Sequence, residues 1–207
     1  METRRLVLAP LAPGDLGELA IIAAAREIAD TTISVPHPMT LAVARDWVED
    51  QCEAARRGDS VVFTVRRSIE QSPLGLVSLR DIDRDHACAE LSFWLAKAAQ
   101  GHGFAVEAAA ALVRHGFEVL DLHRIEAYQM MRNAASAHVL ARIGFRFEGT
   151  LRERVTKWGL REDVNLWSRL RADPDSPAAR ILGPGLGSAA AERAHERVST
   201  GSAHRNS

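Results

Sequence analysis

The sequence predicts an α/β (α+β) domain: one mixed, mostly antiparallel sheet of about seven strands with four helices, in the order βααβββαβαββ. Three observations lead there. Short alternating or β-branched stretches recur along the chain, and several other stretches carry apolar residues at helical spacing. In addition, a glycine-rich turn joins one strand to the longest such helix, and another strand follows directly, which implies one parallel pair inside an otherwise antiparallel sheet.

The elements follow in order. Alternation from Arg5 to Leu11 gives a first strand ended by prolines, and Asp15 caps a helix expected to run to about Asp30, with Leu16, Leu19, Ala20, Ala23 and Ala24 on its apolar side. After the Ser34-Val35-Pro36-His37-Pro38 loop, Thr40 caps a second helix that Gly58-Asp59 stops. Ser60 to Arg67 and Leu74 to Ile82 form an antiparallel pair, and a further strand covers about Ala87 to Ala96. The strongest helix runs from Gly103 to Leu120, with Ala109, Val113, Phe117 and Leu120 on one stripe. A strand from Arg124 to Met131, a short helix from Ala134 to Ile143 closed by Gly144, and strands at Phe145–Thr156 and Arg161–Arg171 complete residues 1–171 as one domain. Residues 172–207 turn to proline, glycine, alanine and charge, and read as a flexible tail with a short helix near Ala189–Val198.

Composition narrows the function classes. Of 207 residues, 46% are hydrophobic and 26% charged, which excludes a disordered chain, and a net charge of -1 argues against a nucleic-acid binder. The longest apolar run, about Leu19 to Ala25, is far short of the ~20 residues a membrane span needs. Pro10 and Pro13 interrupt the N-terminal stretch before any signal-peptide core could form, so a cytoplasmic location is expected. Cys52 and Cys88 are far apart and have no metal-ligand spacing, so both read as reduced thiols and no metal is expected.

Chemistry concentrates in Gln100-Gly101-His102-Gly103-Phe104-Ala105. Glycines before a helix N-terminus let an anion approach free backbone amides, which suits a phosphate or pyrophosphate; a tight turn needing positive φ explains the glycines equally well. About thirty residues on, Asn133-Ala134-Ala135-Ser136 opens the next helix and Gly144-Phe145 closes it. Together with Ala89-Glu90-Leu91-Ser92-Phe93-Trp94-Leu95, Leu122-His123-Arg124-Ile125-Glu126-Ala127, the run from Ile143 to Arg152, Lys157-Trp158-Gly159 and Glu162-Asp163, these residues make the sequence resemble the GNAT superfamily of acetyl-CoA-dependent N-acetyltransferases. The likeness is to the branch of the ribosomal-protein N-terminal acetyltransferases RimJ and RimL. It runs in order over about residues 4 to 171, and Gln100, Gly103 and Ala105 match the pyrophosphate motif Q/R-x-x-G-x-G/A.

The resemblance implies acetyl-CoA as cosubstrate, with its pyrophosphate on the amides of His102 to Ala105 in the Gln100–Ala105 loop, which includes Gly101, Gly103 and Phe104. Its pantetheine arm would lie along the backbone of Phe93, Trp94 and Leu95. Asn133 matches the family residue that meets that arm and Ser136 the one proposed to hydrogen-bond the departing thiolate, although as residues they also read as a helix cap and a local carbonyl partner. Leu140 stands where many family members carry a tyrosine donor. His37 falls on the substrate-side loop by family position and as readily reads as a surface residue in a rigid turn. For the base, Glu90 interrupts an apolar strand ahead of the phosphate loop but alternates out of phase with Leu91, Phe93 and Leu95, so it also reads as an outward-facing residue. Glu126 is the second candidate, as base or as partner of the substrate ammonium, and water is the third. The expected acceptor is a primary amine, foremost a protein or peptide N-terminus such as that of a ribosomal protein. A small-molecule amine and a non-catalytic acyl-CoA sensor are the alternatives. A homodimer is compatible with the sequence.

Overall fold

A computed structural model describes residues 1–70, 72–176 and 178. Seven strands, β1 (Leu6–Pro10), β2 (Val61–Arg67), β3 (Pro73–Asp83), β4 (Cys88–Leu95), β5 (Arg124–Met130), β6 (Arg146–Lys157) and β7 (Leu160–Leu170), form one sheet in the order β1-β2-β3-β4-β5-β7-β6. Five helices accompany it: α1 (Leu16–Ala23), α2 (Arg26–Thr31), α3 (Leu41–Arg57), α4 (Phe104–Glu118) and α5 (Ala134–Arg142). The expected mixed sheet is present, and β4 with β5 is its parallel pair.

The single helix expected over residues 15–30 is two. Ala25 turns extended (φ -62, ψ 124) between α1 and α2. Burial explains the break. α1 buries Leu19 and Ala23, and an unbroken helix would carry that face on to Arg26, Glu27 and Asp30. Restarting at Arg26 rephases the chain so that Ile28 and Ala29 are buried instead.

Each side of the sheet has its own core. On one, α4 packs over Leu79, Leu91 and Ile125, so closely that a Cβ at Gly116 would fall 2.8 Å from Leu79 Cδ1. On the other, Leu19, Ile28, Val35 and Ala44 from the first three helices and the loop after α2 pack over Val62, Leu76 and Trp94. Leu140 and Ile143 bring α5 into the first core.

The parallel pair is short. Cys88, Ala89 and Glu90 pair with Arg124, Ile125 and Glu126, and there the pairing stops. Beyond this point β4 stays bonded to β3 as far as Gly75 and Leu95, while β5 stays bonded to β7 as far as Met130 and Val164. The two strands therefore splay, opening the sheet between residues 91–95 and 127–130.

Past residue 171 the chain is still held to the domain. Asp173 meets Arg146 at 2.9 Å, Asp175 lies 3.5 Å from Arg169, and Ser176 is buried. The rest of the expected tail, including the helix at 189–198, lies outside the described residues. At the far edge Arg124 reaches across β7 to Glu148 with bonds of 2.8 and 2.5 Å, Ser168 Oγ donates to the same carboxylate at 2.5 Å, and these partners hold Glu148 down at about 2. A depressed carboxyl stabilises the fold above its ordinary value of 4.5 and loses that contribution as pH falls toward about 2. Glu148→Gln is therefore expected to lower the melting temperature at pH 7, with the gap to wild type closing across that window in thermal melts; a pH-independent gap would contradict the assignment.

Candidate active site

The opening between β4 and β5 continues into a cleft of about 770 Å³. Its floor is the unpaired edge of β4 with Leu91 to Leu95, one end is the Gln100–Glu107 turn, and α5 contributes Ser136, His138, Val139 and Leu140. Thr31, Thr32, Ile33 and Ser34, at and after the end of α2, form the opposite wall. An extended arm with amide groups suits such a floor, because a strand edge without a partner presents both donors and acceptors.

The turn is shaped for an anion. Gly101 and Gly103 have φ near +80 (80 and 78), and the first bond of α4 is Glu107 N to Gly103 O, so the amides before Glu107 have no intrahelical partner. Gln100 borders the cleft, and its Nε2 donates to Leu95 O at 2.9 Å, tying the turn to the end of β4. His102 Nδ1 lies 2.8 Å from Gln100 O, and its ring stacks on Phe104 at 5.7 Å.

Behind the turn stands an ion pair that sequence reasoning missed. Arg5 donates from Nε to Glu107 Oε2 at 2.7 Å and from Nη1 to His102 O at 3.0 Å, with its guanidinium 4.7 Å above the Phe104 ring. Glu107 is 2% exposed and also accepts from Thr3 Oγ1 and Arg5 N. Burial pushes its carboxyl up, yet these bonds outweigh burial and leave it below the usual carboxylate range. A glutamate on the buried face of an apolar helix was the available signal, since such a group needs a partner.

Glu90 lines the cleft. Alternation places it on the sheet face away from α4, as expected, but that face is the one overlooked by the α2 wall. Arg80 Nη2 donates to Glu90 Oε1 at 2.5 Å. Burial is the larger influence and holds the carboxyl above its ordinary range despite Arg80. Glu126 is the in-register neighbour of Glu90, but its oxygens are taken by Arg124 Nε at 2.7 Å and Tyr128 OH at 3.2 Å, and it is not among the cleft-lining residues. Tyr128 does line the cleft. Its hydroxyl connects the cleft to Glu126, and burial together with the Glu126 charge raises its pKa.

Phe93, Trp94, Leu95, Gln100 to Ala105, Asn133 and Ser136 all border the one cleft. Both ends of the Asn133 amide already have partners: Oδ1 accepts from Ser136 N at 3.1 Å, capping α5, and Nδ2 donates to Thr31 O at 3.0 Å. His37 sits apart from the lining residues, edge-on to Trp158 at 5.3 Å. Among the described residues no cluster of three or more histidine, cysteine or acidic side chains could hold a metal, and no helix is long and apolar enough to cross a membrane.

Residues 5–146 match the acetyltransferase (GNAT) domain family. The chain belongs to the GNAT acetyltransferase family. Several of its relatives are named N-acetyltransferases. The putative ribosomal N-acetyltransferase YdaF of Bacillus subtilis is 32% identical over 99 residues, 48% of this chain and 54% of that one, so the chain spans about half of that relative's length. The ribosomal-protein-serine acetyltransferase of Escherichia coli is 29% identical over 126 residues, 61% of this chain and 69% of that one. Among solved structures, spermidine N-acetyltransferase from Vibrio cholerae, in complex with CoA and spermine, superimposes with a TM-score of 0.72 at 25% identity, covering 81% of this chain and 96% of that one. The likeness to RimJ- and RimL-type enzymes expected from the motifs is thus borne out.

Proposed function

We propose that this GNAT protein transfers acetyl from acetyl-CoA to the α-amine of a protein or peptide N-terminus, by direct attack with both substrates in the cleft. The observation that carries this reading is the meeting, in one cleft, of an unpaired strand edge, a glycine turn with free amides, and the half-buried Glu90 carboxylate. The relative that acts on a ribosomal protein supports the choice of acceptor.

The roles follow from position. The amides of His102 to Ala105 hold the pyrophosphate, and the backbone at Phe93 to Leu95 bonds the pantetheine arm. An amine attacks only when neutral, so the acceptor ammonium first gives a proton to the Glu90 carboxylate. The C–N bond then forms as the C–S bond breaks, the Ser136 hydroxyl donates a hydrogen bond to the departing thiolate, and the proton shed by the acylated nitrogen passes to that sulfur, releasing the amide and the CoA thiol. Leu140, buried at the place where many family members carry tyrosine, offers no proton there.

A polyamine acceptor is the second reading. Glu27 lines the cleft together with Glu90, two carboxylates that suit a polycation, and the Vibrio cholerae structure holds spermine. Thiol release from acetyl-CoA, followed with free-N-terminus peptides, their N-blocked forms and spermidine, separates the two. Turnover of the free peptides alone is expected, and turnover of spermidine alone would contradict the peptide assignment.

Gly103→Glu tests the pyrophosphate turn. It puts a carboxylate where phosphate oxygens belong and a side chain at φ +78, with its Cβ 3.5 Å from Arg5 Nη2. Acetyl-CoA affinity is expected to fall at least about tenfold, in line with an unfavourable term of ~1.4 kcal/mol or more. Unchanged affinity in the folded variant would move the pyrophosphate elsewhere.

A further inference from the structure

Three successive backbone carbonyls at the end of α2 are gripped from other parts of the chain. Arg132 Nη2 donates to Asp30 O at 2.6 Å, Asn133 Nδ2 to Thr31 O at 3.0 Å, and Lys157 Nζ to Thr32 O at 2.9 Å. The last carbonyls of a helix lack intrahelical donors and carry partial negative charge, so cationic and amide donors satisfy them well. The grip is braced. Arg132 also binds the Asp30 carboxylate at 3.0 Å and Glu162 at 2.7 Å, while Trp158 Nε1 donates to Asp30 Oδ1 at 2.7 Å. Trp158, at the tip of the β6–β7 hairpin, also packs against Arg26 (5.2 Å) and His37 (5.3 Å).

What is held is the cleft wall. Thr31 to Ser34 line the cleft, and the Asn133 amide that holds Thr31 O also caps α5, whose Ser136 lines the same cleft. We propose that Arg132, Asn133 and Lys157 are positioning residues for the acceptor, fixing the Thr31–Ser34 wall against the β5–α5 turn and the β6–β7 hairpin. This rests on the acetyltransfer reading of the cleft. It also gives Trp158 and His37 a place outside the chemistry, as the outer brace of the wall.

Lys157→Met and Arg132→Ala each remove part of the grip without touching the pyrophosphate turn. Each is expected to raise acceptor KM about tenfold or more, Lys157→Met through the loss of one charge-assisted hydrogen bond and Arg132→Ala through the loss of several, with kcat changed much less and acetyl-CoA Kd unchanged. Lys157→Arg, which retains a donor, is expected to restore most of the KM. Amide hydrogen exchange at residues 31–34 should quicken in Lys157→Met and Arg132→Ala and stay unchanged across β4 and α4. Unchanged acceptor KM, or KM and acetyl-CoA Kd rising together, would overturn the positioning role. A wild-type protein that turns over no amine sinks the acetyltransfer reading, whereas unchanged exchange in the variants sinks the grip itself whatever the activity.

Discussion

Glu90→Gln is expected to lower kcat by about 10²- to 10⁴-fold, the range that a positioned general base contributes, with acetyl-CoA affinity unchanged. The amide oxygen of glutamine still accepts the bond that Arg80 makes at 2.5 Å, so the strand and its neighbour keep their arrangement while the proton acceptor is lost. Burial gives the test a pH signature. Because it holds the Glu90 carboxyl above its ordinary range, the wild-type rate should fall on the acid side at a pH above that of an exposed carboxylate. The residual rate of the variant should follow the acceptor amine alone. A wild-type rate in Glu90→Gln would pass the role to water or to Glu126, and Glu126→Gln, whose parent carboxylate is bonded by Arg124 and Tyr128, is expected to cost far less in kcat.

Arg5→Met is expected to destabilise the fold by about 1–3 kcal/mol, because it removes the charge partner of the buried Glu107 carboxylate while solvent beside Arg5 screens the pair and Thr3 Oγ1 and the residue-5 amide still donate to it. Methionine retains contact with Phe104, so packing loss is small and the effect is electrostatic. Glu107 is held below the ordinary carboxylate range in wild type, so its contribution is full at neutral pH and is lost as pH falls through that lowered value. In the variant the stranded carboxyl takes up a proton at higher pH, and the gap between the two proteins should therefore shrink on acidification. Urea unfolding at pH 7 and pH 4 measures this. An equal gap at both would mean that the arginine acts by packing alone. The same variant frees the His102 carbonyl from Arg5, so a weaker acetyl-CoA complex is expected beside the loss of stability.

Much of the molecule was legible because its signals are local. Alternation and turn residues located all seven strands, and the glycine turn before an amphipathic helix located the end of the cleft proposed to hold the pyrophosphate. The break after Ala24 was hidden because Ala23, Ala24 and Ala25 carry no stop signal, and only the competing burial of Ile28 and Ala29 forces it. Alternation separated Glu90 from Leu91 and Phe93 correctly, but that Glu90 borders a cleft shared with the end of α2 depends on residues far away in sequence. Glu126 and Tyr128 share a face two residues apart, so the pattern alone could not show that the tyrosine reaches the cleft while the carboxylate stays tied to Arg124. The bonds from Asn133, Arg132 and Lys157 to residues 30–32 join positions more than a hundred residues apart, and no short-range pattern encodes them.

The cleft's assignment to acetyl-CoA is tested most directly by calorimetric titration of the folded protein with acetyl-CoA, run beside Gly103→Glu. Micromolar binding by the wild type that is lost or strongly weakened in the variant is the predicted result. No binding by folded wild-type protein, or equal binding by both, would contradict the cofactor site from which every catalytic role above is argued.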